Sequence, residues 1–446
     1  MVLPVLNNKC SERNEHPKVR TMVFMTIVQL SLVISVFLSA AHVIAAEANI
    51  FLPTLIAEAL KNNREVHAAE SRWNAATFRI PQAEGLPDPT VMFGYQNEGW
   101  NRYTYGQLQG SQWIYSVSQT FPFPGKRSLR GEMASQDAEG LKATFQAVRL
   151  KTIATVKELY YDLFLTYKNI DLISGKTVLF SKIEDAALAR YSTGVATQQE
   201  VLMAQTEKYM LLEKETMLKQ KIQSLEAMLN NALGREAQIP VGKPLEPVPS
   251  MLKYSMEDMF RLANENSPEI QSKKKMLDSS RAQIYLAQKE YYPDFTIAGS
   301  VFQRRGEFQD MWSLTAAINI PLFFEKKQAA VAEAKSISYG AESELEATKL
   351  MLSSSIRDNY AILTTAEKLM GLYKTGLIPK TYQDFDLALS GYVSGKVEAI
   401  TVLNRLKALL DYETLYWGQF VEREKAVARI KSIAGIVDSE AAEQER

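Results

Sequence analysis

The sequence predicts a mixed, mainly α fold: long α-helical hairpins joined to four β-strands, laid out twice along the chain. Three observations carry this. Residues 126–191 contain no proline and only Gly131, Gly140 and Gly175, so one helix can run the whole stretch. Four short segments alternate large apolar with small polar residues at period two. Matched motifs recur about 201 residues apart, the mark of an internal repeat.

Composition removes several function classes. With 51 Lys+Arg against 51 Asp+Glu, nothing attracts a polyanion, so no nucleic-acid partner is expected. Cys10, His16 and His42 all fall in the first 46 residues. Lys18 and Arg20 precede the uncharged stretch Thr21–Ala46, and small residues close it at Val43-x-Ala45 and Ile44-x-Ala46. This is the pattern of a secretory signal peptide over 1–46; an uncleaved anchor is the alternative. Cys10 precedes the apolar run and so cannot carry a lipoprotein lipid. Removal takes four basic and two acidic residues and leaves a balance of −2. It also leaves His67 as the one His and no Cys. Disulfides, Cys/His metal sites and His-based triads go together, so no catalytic, cofactor or metal site is expected.

The mature chain is a duplicated unit. Tyr191 matches Tyr392, Gly194 matches Gly395, Val201-Leu202 matches Val402-Leu403 and Gly234 matches Gly435. Pro122 matches Pro321, and Pro87-Asp88 matches Pro293-Asp294. The repeats are assigned to 47–234 and 256–435. Between them, 235–255 carries Pro240, Pro244, Pro247 and Pro249 and reads as an extended linker. An acidic tail, 436–446, follows.

Each repeat opens with a helix, Leu52–Gln82 and Met256–Tyr291, stopped by its Pro-Asp pair. In Thr90–Gln96, Val91, Phe93 and Tyr95 oppose Thr90, Met92 and Gln96. In Gln112–Thr120, Trp113, Tyr115 and Val117 oppose Ser116, Ser118 and Thr120. In the second repeat, Phe295, Ile297 and Val301 oppose Thr296, Ala298 and Ser300. Then Trp312, Leu314, Ala316 and Ile318 oppose Ser313, Thr315, Ala317 and Asn319. A soluble sheet on a core would alternate this way. So would a transmembrane barrel in an exported protein, with Trp113, Tyr115, Val117, Trp312, Leu314 and Ile318 toward lipid. Four strands cannot close a membrane barrel, whose minimum is about eight. The barrel must then be shared: two chains supply eight strands, three supply twelve.

The helices after the second strands, Lys126–Tyr191 and Glu325–Tyr392, are roughly 66 residues, or about 100 Å, long. Val148, Ile153, Val156, Tyr160, Phe164, Tyr167 and Ile170 give a packing stripe of coiled-coil type. After turns at Gly194 and Gly395, helices Gln198–Leu233 and Lys396–Ala434 run back. Strands therefore lie at one end and two hairpin tips at the other.

This order, with Ser118–Arg127 (SQTFPFPGKR) and Ala189–Val195 (ARYSTGV) followed by Glu200–Gln205 (EVLMAQ), resembles the TolC-type outer-membrane efflux protein family over nearly all of 50–435. The resemblance implies a homotrimer with a twelve-strand barrel in outer-membrane lipid and a trimeric helical α-barrel in the periplasm. It implies a passive exit duct from periplasm to exterior for small molecules or metal ions, not an enzyme, docked through a periplasmic adaptor on an inner-membrane pump of resistance-nodulation-division type. The Phe-Pro-Phe-Pro-Gly-Lys entry is similar to the branch serving heavy-metal pumps. The rival reading is a periplasmic coiled-coil scaffold held by an uncleaved N-terminus.

The resemblance makes the tips adaptor-docking sites: Tyr191, Ser192, Thr193, Gly194 and Val195 on one, Tyr392, Val393, Ser394 and Gly395 on the other. The glycines are equally accounted for as helix C-caps. Entrance positions that are acidic in some relatives fall on Thr401 and Asn404, which are uncharged; Glu200 and Glu398 are the nearest carboxylates. A solvated helix-face charge is the plainer role for both. Asp384, Asp386, Glu342, Glu344 and Glu346 lie in helical patterns without a base or ligand partner and read as solvated faces. Met203, Met210 and Met217, at spacing seven, read as a helix seam rather than metal ligands.

Overall fold

The computed structural model describes residues 49–436. The expected signal peptide and nearly all of the tail lie outside the described residues. The first half runs α1 (Leu52–Asn62), α2 (Arg64–Thr77), α3 (Arg79–Glu84), β1 (Thr90–Gln96), β2 (Gln112–Phe121), α4 (Lys126–Ser192) and α5 (Gln198–Leu233). The second runs α6 (Met256–Asn266), α7 (Pro268–Lys289), β3 (Phe295–Gln303), β4 (Met311–Ile318) and α8 (Phe324–Leu372). A π-helical turn, Tyr373–Leu377, then leads into α9 (Ile378–Val393) and α10 (Ala399–Ile433).

The opening helices differ from expectation. Each is broken where the apolar period continues. At Asn63 the backbone turns extended, and Oδ1 accepts from the amides of Glu65 at 2.8 Å and Val66 at 3.1 Å. Its Nδ2 donates to the Ala232 carbonyl at 2.8 Å, tying the break to the end of α5. An Asn that finds cap partners stops one helix and starts the next. In the second half the break is Ser267, held extended by Pro268 at the first helical position. A third break, Phe78, separates α2 from α3.

Two glycines close the halves in the same way. Gly234 and Gly435 follow α5 and α10 at φ +74° and +72°. A Cβ on Gly234 would run into the Asn62 carbonyl, and one on Gly435 into the Asn266 carbonyl. Each hairpin therefore ends by backing onto the break in its own opening helix.

The 67-residue α4 is the spine. Of its predicted stripe, Val156, Tyr160 and Phe164 are buried against Leu55, Leu229 and Phe420, with Ile153, Tyr167 and Ile170 packed at the edge. Burying one such aliphatic side chain contributes about 1.5–3 kcal/mol. Nearer the tips, Ile173, Phe180 and Ile183 meet Phe385, Tyr392 and Leu406, so the halves share one core there. Charges lace α4 to α10: Arg429 pairs both carboxylate oxygens of Glu158 at 2.8 Å, and Lys425 reaches Asp162 at 3.1 Å. The methionine seam faces elsewhere. Met203 packs on the tip-side core, but Met210 and Met217 stay exposed, as do Leu202, Tyr209 and Leu212 on the same helix.

The linker is clipped rather than free. Residues Ile50 and Pro244 form a parallel bridge. The Tyr160 hydroxyl donates to the Leu245 carbonyl at 2.9 Å. Buried Glu424 accepts from the Ser250 amide at 3.0 Å.

Candidate functional site

The four strands form one antiparallel sheet in the order β1-β2-β3-β4. The two hairpins join where β2 pairs β3, from Trp113↔Gln303 to Phe121↔Phe295. Among the described residues β1 and β4 each pair on one side only.

Register sorts the residues into two faces. Phe93, Tyr115, Val301 and Trp312 lie in one row across all four strands. The next row is Val91, Val117, Gly299 and Leu314. Trp312 and Leu314 are 79% and 71% exposed, and Tyr115, Val117 and Ile318 are exposed too. Trp113 shares this face but is half-buried, stacked on Phe93 with centroids 5.1 Å apart. The opposite face is polar and small over most of its length. Ser116, Ser300 and Ser313 lie side by side, and Ser300 Oγ donates to Ser116 Oγ at 2.8 Å. Thr120 and Thr296 hydroxyls meet at 2.9 Å. A sheet with its large apolar side chains in the open needs a covering solvent that is not water.

At the helix end, Lys126 locks the corner between β2 and α4. It is 1% exposed and reaches Asp294 at 2.9 Å, Glu290 at 3.2 Å and the Tyr292 carbonyl at 3.1 Å. Asp294 also accepts from the Phe123 amide at 2.8 Å. The second Pro-Asp pair thus holds the first repeat's Pro-Phe-Pro-Gly-Lys corner, where Gly125 takes φ +94°.

The tips repeat each other bond for bond. At the first, Gly194 N donates to Tyr191 O at 3.0 Å and Val195 N to Arg190 O at 2.9 Å. At the second, Gly395 N donates to Tyr392 O at 3.0 Å and Lys396 N to Gly391 O at 2.8 Å. Both glycines are left-handed, at φ +73° and +76°, and space around each is open. Ser192, Thr193 and Ser394 turn their hydroxyls back onto helix carbonyls. What the tips present is apolar: Val195 at 65%, Val393 at 77%, and Tyr191.

Tyr392 differs from the other tip residues. It is 0% exposed and lies inside the joint between the tips. Arg190 Nη1 donates to its carbonyl at 2.5 Å, and the guanidinium lies 4.6 Å from its ring centroid. Burial pushes the Tyr392 hydroxyl pKa up, the Glu200 charge adds to the rise, and Arg190 opposes it. Glu200 is half-buried, with Oε2 enclosed, so it is no solvated face charge. Glu398 and Asn404 are exposed and Thr401 is half-buried, one turn into α10. Asp384 pairs with Arg405 at 2.8 Å, and Glu344 with Lys273 at 2.7 Å. Sequence reasoning missed Arg190 and Asp294. The one signal was the Pro-Asp pair, which reads as a helix stop before it reads as an acceptor.

The family model for outer membrane efflux proteins matches this sequence twice, over residues 55–235 and 259–435. The chain belongs to the outer membrane efflux protein family. This efflux channel is 24% identical over 393 residues to the cobalt-zinc-cadmium resistance protein CzcC of Cupriavidus metallidurans, covering 86% of this chain and 90% of that one. Its fold matches the outer membrane protein VceC of Vibrio cholerae with a TM-score of 0.76 at 17% identity, over 86% and 96% of the two chains. It matches the CmeC outer membrane channel of Campylobacter jejuni at 0.72 and 12% identity, over 90% and 92%. The fold is that of outer-membrane channels, with an α-barrel and a β-barrel. The channel's sheet lies in the outer membrane and its hairpins extend into the periplasm.

Proposed function

We propose that three copies assemble into a duct that carries metal ions from the periplasm to the exterior, with the tips docked on a periplasmic adaptor of a resistance-nodulation-division pump. One observation carries the shared barrel: a four-stranded sheet with an apolar outer face and two edges that find no partner among the described residues. In lipid each unpaired backbone group costs several kcal/mol, and pairing β4 of one copy with β1 of the next removes that cost. Three copies bring twelve strands. The exposed apolar stripe of α5, including Tyr209 and Met217, is a second surface that a neighbouring copy would cover. Similarity to CzcC supports a metal cargo. The open glycines and apolar valines at the tips support docking there.

Detergent-solubilised mature protein is expected at three times its chain mass. A stable, sheet-containing monomer would overturn the shared barrel. A host lacking its own metal-efflux duct should regain cobalt, zinc or cadmium resistance when this chain is supplied with its cognate pump and adaptor; rescue of drug export alone would overturn the metal cargo.

A further inference from the structure

The polar face of the sheet, from Gln96 and Gln112 at its outer end to Thr120 and Thr296 at its helix end, carries no charged side chain among the described strand residues. It is a sleeve of hydroxyls, amides and small or apolar groups. Two charges flank its outer end directly: Arg304, immediately after β3 and in step with the polar face, and Asp310, immediately before β4 and in step with Trp312 on the apolar face. Arg304 Nε donates to Gln112 Oε1 at 3.1 Å, and Gln112 Nε2 donates in turn to Gln96 Oε1 at 3.3 Å. Both glutamines lie on the polar face by register, and Gln112 is buried. This chain of amides draws the Arg304 side chain over the polar face rather than the lipid face. Its guanidinium has no carboxylate within ion-pair distance among the described residues.

The nearby loop carboxylates Glu98 and Asp310 hold loop amides, and the other loop charges are exposed. Glu98 Oε2 accepts from the Gly110 amide at 2.7 Å, and Asp310 Oδ1 accepts from the Arg304 main-chain amide at 2.8 Å. Glu307, Arg102 and Arg305 are exposed on the loops. The backbone behind Arg304 is fixed too. Its carbonyl accepts from the Tyr105 hydroxyl, and Gly306 packs so tightly on Gly106 that a Cβ there would lie 2.8 Å from the Gly106 carbonyl oxygen.

We infer that Arg304 sets the charge preference of the outer mouth, favouring anions over cations, while the sleeve beneath it favours neither. The inference rests on the shared barrel proposed above, in which each copy places one Arg304 at the mouth. Rings of basic side chains favour anions in pores, and their reach is a Debye length, about 8–10 Å near physiological salt. The preference should therefore grow as salt is lowered.

The test is the reversal potential of the full-length channel in a planar bilayer under a potassium chloride gradient, at high and at low salt. Wild type should shift toward the chloride side at low salt. Arg304→Gln should lose that shift, and Arg304→Lys should keep it. Ser300→Asp, inside the sleeve, should move the potential the opposite way. Channels that conduct but whose reversal potential is the same in wild type and Arg304→Gln would overturn the inference. So would a cation preference that Arg304→Gln does not strengthen, which would hand control to the loop carboxylates or to Glu200. Failure of wild type and every variant alike to conduct would instead count against the barrel itself.

Discussion

The Arg190 guanidinium donates to the main-chain carbonyl of Tyr392, 202 residues further along, and covers the same residue's ring. The two hairpin tips are thus tied by one side chain. A charged hydrogen bond contributes about 1.5–3 kcal/mol and a partly desolvated cation–π contact about 0.5–2 kcal/mol. Arg190→Ala should free the tips from each other without unfolding the helices, whose core lies above. Spin labels placed by Thr193→Cys and Ser394→Cys should report a broader distance distribution in the alanine background. An unchanged distribution would mean the buried apolar contacts of Tyr392 hold the joint alone.

A second expectation concerns docking. Apart from its chain neighbours, no described residue lies within 4 Å of the point that a Cβ on Gly395 would occupy, so a β-carbon there has open space. Gly395→Ala should cost about 1 kcal/mol from the positive φ and leave export working. Gly395→Trp should assemble normally yet abolish efflux-dependent resistance. Wild-type export by the tryptophan variant, at equal trimer in the membrane, would remove the tips as the pump-facing end.

For the sheet, neighbours on one strand make the cleanest pair. Leu314 is on the apolar face and Thr315 on the polar one. Leu314→Arg should destabilise the inserted barrel by about 2–4 kcal/mol, and Thr315→Arg should be tolerated. Urea titration of protein folded into lipid vesicles distinguishes them. Equal losses would show that the two faces are not lipid and lumen.

Gly234 should behave unlike Gly395, although both are left-handed. A Cβ at Gly234 collides with the backbone carbonyl of Asn62, which cannot swing away as a side chain would. Gly234→Ala should therefore lower the thermal midpoint more than Gly395→Ala does. Equal midpoints would mean that the break between α1 and α2 yields easily.

Burial pushes the Tyr160 hydroxyl pKa up to about 12, against an ordinary value of 10.0. The folded state holds that proton more tightly than the unfolded one. Its contribution is therefore full below pH 10 and is lost as the pH climbs toward 12. Tyr160→Phe gives up the hydrogen bond to Leu245, about 1 kcal/mol at neutral pH, but should flatten the alkaline decline in stability. Denaturant midpoints across that interval for both proteins test it. Parallel declines would assign the alkaline loss to other groups.

The strands and long helices were legible because each has one dominant period. Tyr115 and Ser116 differ in kind at every step of the alternation, and α4 meets no breaker before its tip. The breaks at Asn63 and Ser267 were hidden, since the apolar period runs on across them and only a cap interaction with distant backbone reveals the stop. At the tips, sequence could place Tyr392 beside Gly395 but could not tell an outward ring from a buried one. That depends on Arg190, which is remote in sequence. Lys126 and Asp294 were each visible in a motif, but pairing them required knowing that β2 lies against β3.

The π turn at Tyr373–Leu377 bears on how the two halves came to match. Pro321 to Tyr392 is two residues longer than Pro122 to Tyr191. An insertion into a rigid rod would push one tip past the other and rotate every side chain beyond it. A turn that closes from i to i+5 takes in an extra residue without breaking the rod. It sits just before Pro379, whose missing amide already weakens the ladder there. One of the two surplus residues is thus taken up mid-rod, and Arg190 and Tyr392 still meet at the tips. The two shafts can therefore differ in length while the contact between their ends is kept.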